Sequence, residues 1–261
     1  MDYLQLVVIF FTLVIMILLI VKRFNKKYIP IIISVNVHEN LPFLQKQLYN
    51  FHQYMKSRYI VILNCNDFMY NECKNTILPD NVFVHPTPLN KKWCHGSVSQ
   101  GIYNNMKWSL ENYKFSMFLV ASSRTIFGNP FKNQELSTNQ YTQYLDNCEL
   151  ANDWHWPTFC QSNLASYFMS KKKPLFGCAH EGLGFSYKGC KKIVKFLEKH
   201  SDLQDFFNLE IPVEEIALQT ISINLKCPIY YIGNGCCNED RIPPNDPNEE
   251  NKKFMYKVKR E

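Results

Sequence analysis

The segment Phe115–Ala121 constrains this chain most. It is almost entirely Phe, Met, Leu, Val and Ala, and it stops at Ser122, Ser123, Arg124 and Thr125. An apolar run of that length, without alternation, is a strand buried on both faces, the condition of a parallel sheet covered by helices. Ligands of such sheets sit in the crevice beyond the carboxyl ends of the strands. The polar cluster after Ala121 is therefore placed where chemistry is expected. Ahead of it, Val98, Ile102, Met106 and Leu110 recur every four residues and predict a helix from Ser97 to about Tyr113. Ser97 with Gln100 three residues later carries a capping-box signature. The polar corner Trp93-Cys94-His95-Gly96 precedes that helix. His95 and Gly96 there could offer backbone N–H groups to a phosphate, or could simply cap the helix.

The same alternation starts earlier. Tyr28–Val37 is a β-branched run that ends in His38, Glu39 and Asn40. Leu41, Leu44, Leu48, Phe51 and Met55 then predict a helix, Arg58–Leu63 a second strand ending near Asn66 and Asp67, and Val82–Val84 a short third. Strand, helix, strand, short strand, helix, strand argues for an α/β sheet, mainly parallel, with helices on both faces. Neither Gly-x-Gly-x-x-Gly nor a Gly-Lys-Ser/Thr phosphate loop is present. Further on, Leu175–Cys178 and Leu183–Tyr187 read as a pair of strands around Ala179, His180, Glu181 and Gly182. Cys190, Ile193, Val194 and Leu197 line one helix. Pro212 opens the last helix with Glu214 and Glu215 in its first turn, and Ile229–Ile232 is a final strand. The composition shifts at Gly233, and residues 236–261 read as a polar basic tail behind a domain of residues 29–235.

Tyr3–Val21 is nearly all apolar, about the ~20 residues that a membrane-spanning helix needs. Residues 1–22 are expected to form an uncleaved single span in the lipid bilayer, joined by the basic linker 23–28 to the domain. The basic residues all follow the span, which by the positive-inside rule puts the domain in the cytosol. No Asn-x-Ser/Thr acceptor occurs, and the 10 Cys show no regular framework, both of which agree with that side. The net charge of +6 suits an anionic ligand or a membrane surface. No Arg-rich run or finger spacing points to nucleic acid. Cys94-His95, Cys178-x-His180 and Cys236-Cys237 lack the paired Cys-x-x-Cys of structural zinc.

The apolar strand, the Trp-containing loop with Gly and Ser, the long helix, the strand ending in small polar residues, the later Gly-x-x-Phe-Ser-Tyr strand and the Pro-x-Glu-Glu segment with Gln219 and Thr220 follow one another in an order that resembles the core-2/I-branching β-1,6-N-acetylglucosaminyltransferases and their xylosyltransferase relatives. The resemblance covers roughly residues 28–232. It implies a GT-A-like, Rossmann-type fold, a UDP-sugar donor with no further cofactor, a glycan or glycoconjugate acceptor, and inverting transfer with a glutamate as general base. The matching position is Glu215. The family's Ser-Gly-x-Asp-x-Pro cluster falls on Ser122, Ser123, Arg124 and Thr125, so its Asp is Thr125 here and its Pro is Phe127. A domain that follows this family would be lumenal.

The chemistry narrows the candidates. A glycosyl transfer needs a base for the acceptor hydroxyl and positive charge at the leaving diphosphate. Two hydroxyls and a guanidinium are poor ligands for a hard divalent cation, so transfer without a metal is expected. Arg124 and the tail residues Arg241, Lys252, Lys253, Lys257 and Lys259 are candidate counter-charges. His38, Asn66, Asp67, Ser122, Ser123 and Arg124, all at strand ends, are the expected nucleotide-sugar contacts. Trp154, Trp156 and Glu181 are the expected acceptor contacts, although tryptophans flanking His155 can equally be core anchors. A catalytically inactive binding module on the same fold is the competing expectation. A hydrolase would need a Gly-x-Ser-x-Gly elbow, which is absent.

Overall fold

The computed structural model describes residues 5, 7–12, 27–132, 143–237 and 254–258. Their centre is a six-stranded sheet in the order β3-β2-β1-β4-β8-β9, made of β1 (Lys27–Val37), β2 (Tyr59–Cys65), β3 (Val82–Val84), β4 (Tyr113–Ser122), β8 (Leu183–Ser186) and β9 (Ile229–Tyr231). Strands β3, β2, β1 and β4 run parallel. β8 is antiparallel to β4, and β9 to β8. The expected mainly parallel α/β sheet is the one observed.

Successive residues of a strand face opposite sides, and both sides are apolar here. Ile31, Ile33, Val35 and Val37 of β1 meet Leu44, Leu48 and Phe51 of α1 (Leu41–Tyr54) and Met69 and Cys73 of α2 (Asp67–Lys74). Ile32, Phe118 and Val120 join Ile102 and Met106 of α3 (Ser97–Asn112), Ile193 and Leu197 of α6 (Tyr187–Lys199) and Ile221 of α7 (Ala217–Asn224). The short helices α4 (Trp156–Phe159) and α5 (Asn163–Ser170) extend that second layer. Truncating one of the fully buried aromatics, such as Phe118, costs about 3–5 kcal/mol.

Several local expectations change. Ser97 does not cap α3. Gly96 precedes the helix without a side-chain cap, and Ser97 Oγ accepts the Lys92 N–H at 3.0 Å while the Ser97 N–H donates to His95 Nδ1. β7 (Leu175–Gly177) and β8 do not pair with each other: β7 pairs with β6 (Gln143–Leu145), and β8 joins the central sheet. The tail is not all loose chain. β11 (Met255–Val258) lies between β10 (Gly233–Cys237) and β5 (Thr125–Phe127), with Phe254 and Met255 buried. Those two apolar residues were hidden in a charged stretch. Cys148 and Cys160 form a disulfide that no spacing announced. The expected span 3–21 lies mostly outside the described residues. Residues 7–12 are helical with Val8, Ile9, Phe10 and Phe11 exposed, and no helix among the described residues is long and apolar enough to cross a membrane.

Gly96 holds the loop before α3 against the 3-10 helix Ser201–Asn208. Its N–H donates to the Leu209 carbonyl, and a Cβ there would overlap the Phe206 and Phe207 backbone. Backbone cannot swing aside as a side-chain tip can. Gly96→Ala is therefore expected to destabilise the protein by about 1–3 kcal/mol in chemical denaturation. Gly189→Ala on α6, where a Cβ meets only ordinary contacts from 3.4 Å, is expected to be neutral or slightly stabilising.

Candidate functional site

The strand-end cluster is shaped from below by α1. Gln47, buried in that helix, donates from Nε2 to the carbonyls of Ser122 (2.8 Å) and Thr125 (2.6 Å). Asn50 closes a two-way bond with the Phe127 backbone. Thr125 Oγ1 accepts the Ser122 N–H at 2.9 Å and lies 3.0 Å from Ser122 Oγ. Two of the three hydroxyls thus hold the turn itself, and Ser123 is buried behind it. Arg124 is left facing outward, with its Nε 3.7 Å from Glu39 Oε1.

Above this turn lies a cavity of about 410 Å³, lined by Asn36 and His38 from the end of β1, Lys91 to Cys94 from the loop before α3, Ser122 and Arg124 from the end of β4, and His155, His180, Glu214 and Glu215. It is the crevice that parallel strands leave at their carboxyl ends. A second cavity, about 340 Å³ beside α1 and β2, is lined by Leu48, Tyr49, Ile77 and other largely apolar groups without converging charge.

At the β8 end of the main cavity one imidazole is ringed by acids. His180 Nε2 is 3.2 Å from Glu181 Oε1, and Nδ1 is 3.7 Å from Glu215 and 3.9 Å from Glu214. Burial alone would lower the His180 pKa, but Glu181, Glu215 and Glu214 outweigh it and hold it at about 9. Burial raises Glu214 to about 7 against the pull of His180. His180, Glu181 and Glu215 also present their ligand atoms within 4.8 Å of one another, so this is the one group among the described residues that could take a cation.

The other end is basic. Lys91 is partly buried beside β2 and donates to the Asn64 carbonyl (2.8 Å), Asn64 Oδ1 (2.9 Å) and the Leu89 carbonyl (3.2 Å). Burial lowers its pKa to about 8. Its three protons are committed, so it supplies field rather than a free donor.

The expected site residues divide accordingly. His38, Ser122, Arg124 and Glu215 line the one cavity. Asn66 and Asp67 do not line it: Asn66 caps α2 through the Met69 N–H, and Asp67 accepts from Asn90. Trp156 is core, and Trp154 packs over Gly177 and against Trp156, so neither offers a sugar platform. Glu181 is buried against His180 and shapes the cluster instead of lining the cavity. Glu215 is not in the first turn of an α-helix. Val213–Glu215 is a 3-10 turn, and Ile216 (φ −130°) separates it from α7. What positions it is α7 further on: Gln219 donates to the Glu214 carbonyl at 2.8 Å, and Thr220 bonds the Phe176 backbone both ways. Lys257 pairs through its backbone with Thr125, while Arg241, Lys252, Lys253 and Lys259 lie outside the described residues. Lys91, Asn36 and Glu214 were not singled out from sequence, because nothing in their spacing shows that three distant segments converge. No protein-family model matches this chain, and no curated protein is detectably similar to it.

The acid cluster sets a pH dependence. His180 and Glu214 both bind protons more tightly folded than unfolded. His180's contribution is full below its ordinary 6.5 and is lost as pH rises through about 9. That of Glu214 is full below 4.5 and is lost through about 7. Both slopes have the same sign. The melting temperature is expected to fall from pH 6.5 to 8, and more shallowly in Glu214→Gln; above pH 8 Lys91, whose lowered pKa gives a slope of the opposite sign, offsets the remaining loss.

Proposed function

We propose that the chain is a membrane-anchored glycosyltransferase of GT-A-like fold, which moves a sugar from a UDP-sugar to a hydroxyl acceptor with inversion. One observation carries the reading: Arg124, at the end of β4, and Glu215, far along the chain, line the same cavity. The reversed strand β8 beside four parallel strands supports the fold assignment, since it brings His180 to the edge where the parallel strands end.

In this reading Glu215, its side chain 22% exposed, takes the proton of the acceptor hydroxyl. The acceptor oxygen bonds to the anomeric carbon from the face opposite the diphosphate, the bond from that carbon to the diphosphate oxygen breaks, and UDP leaves. The His180 ring, 3.7 Å from the Glu215 carboxylate, is the nearest group among the described residues that can carry positive charge. Arg124 and Lys92 face the leaving charge, helped by the field of Lys91. Transfer proceeds without a divalent cation, because the acids at the β8 end are already compensated by His180. The exposed apolar helix at residues 7–12 supports an anchor. The Cys148–Cys160 disulfide supports a domain on the oxidising, lumenal side, against the charge rule.

A non-catalytic binding module is favoured by one feature: Thr125, standing where the resembling family has Asp, spends its hydroxyl on Ser122. The two readings part in one assay. The full chain in detergent, given UDP-N-acetylglucosamine or UDP-xylose and a panel of saccharide acceptors, is expected to release UDP in the presence of EDTA. Glu215→Gln is expected to lose at least about 100-fold in kcat while still binding UDP. UDP binding without turnover in the wild type would select the binding module, and turnover that requires manganese would overturn the metal-free mechanism.

A further inference from the structure

Trp93 is a part of the cavity wall that the transfer above leaves unused. Its side chain is 88% exposed, whereas Trp108, Trp154 and Trp156 pack in or against the core. A large indole held in water at the mouth of a cavity is a stacking surface awaiting a ring. The loop beneath it is pinned on both sides. Lys91 is tied to Asn64 and Leu89, the Lys92 N–H donates to Ser97 Oγ, and the Gly96 N–H donates to the Leu209 carbonyl. Between these anchors Cys94 takes φ +51°, a left-handed conformation uncommon outside glycine. The backbone beneath the indole is therefore preorganised, which lowers part of the ordering cost of binding.

Its place along the cavity decides which ring it meets. The loop leaves the end of β2, where the Leu89 N–H donates to the Cys65 carbonyl and Lys91 Nζ to Asn64, and two residues of chain keep the Trp93 backbone within about 7 Å of the Lys91 backbone. Glu215 lies at the other end, 3.7 Å from His180, whose carbonyl accepts the N–H of Leu183, the first residue of β8. From β2 across β1 and β4 to β8 is three strand spacings, about 14 Å. Acceptor and transferred sugar must meet at the base, so the far end of the donor points toward β2. Resting on the nucleotide-sugar reading above, we propose that Trp93 stacks on the nucleobase of the donor. Every base has a π-face, so the indole supplies affinity for a base without choosing among bases.

Calorimetric titration of the full chain in detergent, with UDP and with inorganic pyrophosphate, tests this. In the wild type UDP is expected to bind more tightly than pyrophosphate and to quench tryptophan fluorescence. Trp93→Ala is expected to raise the UDP Kd about 10-fold or more and to leave the pyrophosphate Kd unchanged, while Trp93→Phe keeps most of the UDP affinity. An unchanged UDP Kd in Trp93→Ala, an equal rise for both ligands, or a rise confined to the acceptor KM would each overturn the stacking and leave the nucleotide-sugar reading standing. A wild type that binds neither UDP nor a UDP-sugar would overturn that reading instead.

Discussion

Three carboxylates and one imidazole cluster at and behind the buried end of the cavity, and the rest of the site depends on their balance. A buried carboxylate without a partner is strongly disfavoured. His180 lies within 3.9 Å of Glu181, Glu214 and Glu215, so one positive charge serves all three. Burial holds the pKa of Glu214, the more buried acid of the 3-10 turn, up at about 7 against the pull of His180. That leaves Glu215 compensated yet partly exposed, the condition a proton acceptor needs.

The fold supplies this arrangement by reversing one strand. Three of the four parallel strands, β2, β1 and β4, deliver Asn64, Asn36 and Ser122 to one edge in register. β8 runs the other way, so the residues that precede it, His180 and Glu181, arrive at that same edge. The result is a cavity with a basic end near β2 and an acid-base end near β8, with Arg124 between them. Gln47 and Asn50 of α1 fix the Arg124 turn, and Gln219 of α7 holds the Glu215 turn through the Glu214 carbonyl while Thr220 ties α7 to β7. Neither pair needs to touch a ligand to matter, because each sets where a charge stands.

Much of the sheet was legible in the sequence because burial writes itself as pattern. Phe115–Ala121 and Ile31–Val37 have no polar face, and the stripe Val98-Ile102-Met106 has a helical period. The pairing of β8 was not legible. Leu183–Ser186 is only four residues long, and its partner is set by the tertiary course of the chain, not by its own composition. The same holds for β11, whose apolar residues sit among charges. Of the site, the strand-end residues could be found from topology alone. Trp154 and Trp93 could not be told apart, since exposure is decided by packing: Gly177 leaves room for the Trp154 ring, and nothing covers Trp93 to the same extent. Asn66 and Asp67 failed as site residues for a local reason. A polar pair after a strand caps the next helix as readily as it meets a ligand.

The most direct measurement is a crystal structure of the full chain with a non-hydrolysable UDP-sugar analogue bound. The account places the diphosphate beside Arg124 and the anomeric carbon facing the Glu215 carboxylate. A ligand lodged in the groove between α1 and β2, or one whose sugar points away from Glu215 toward Lys91, would contradict it.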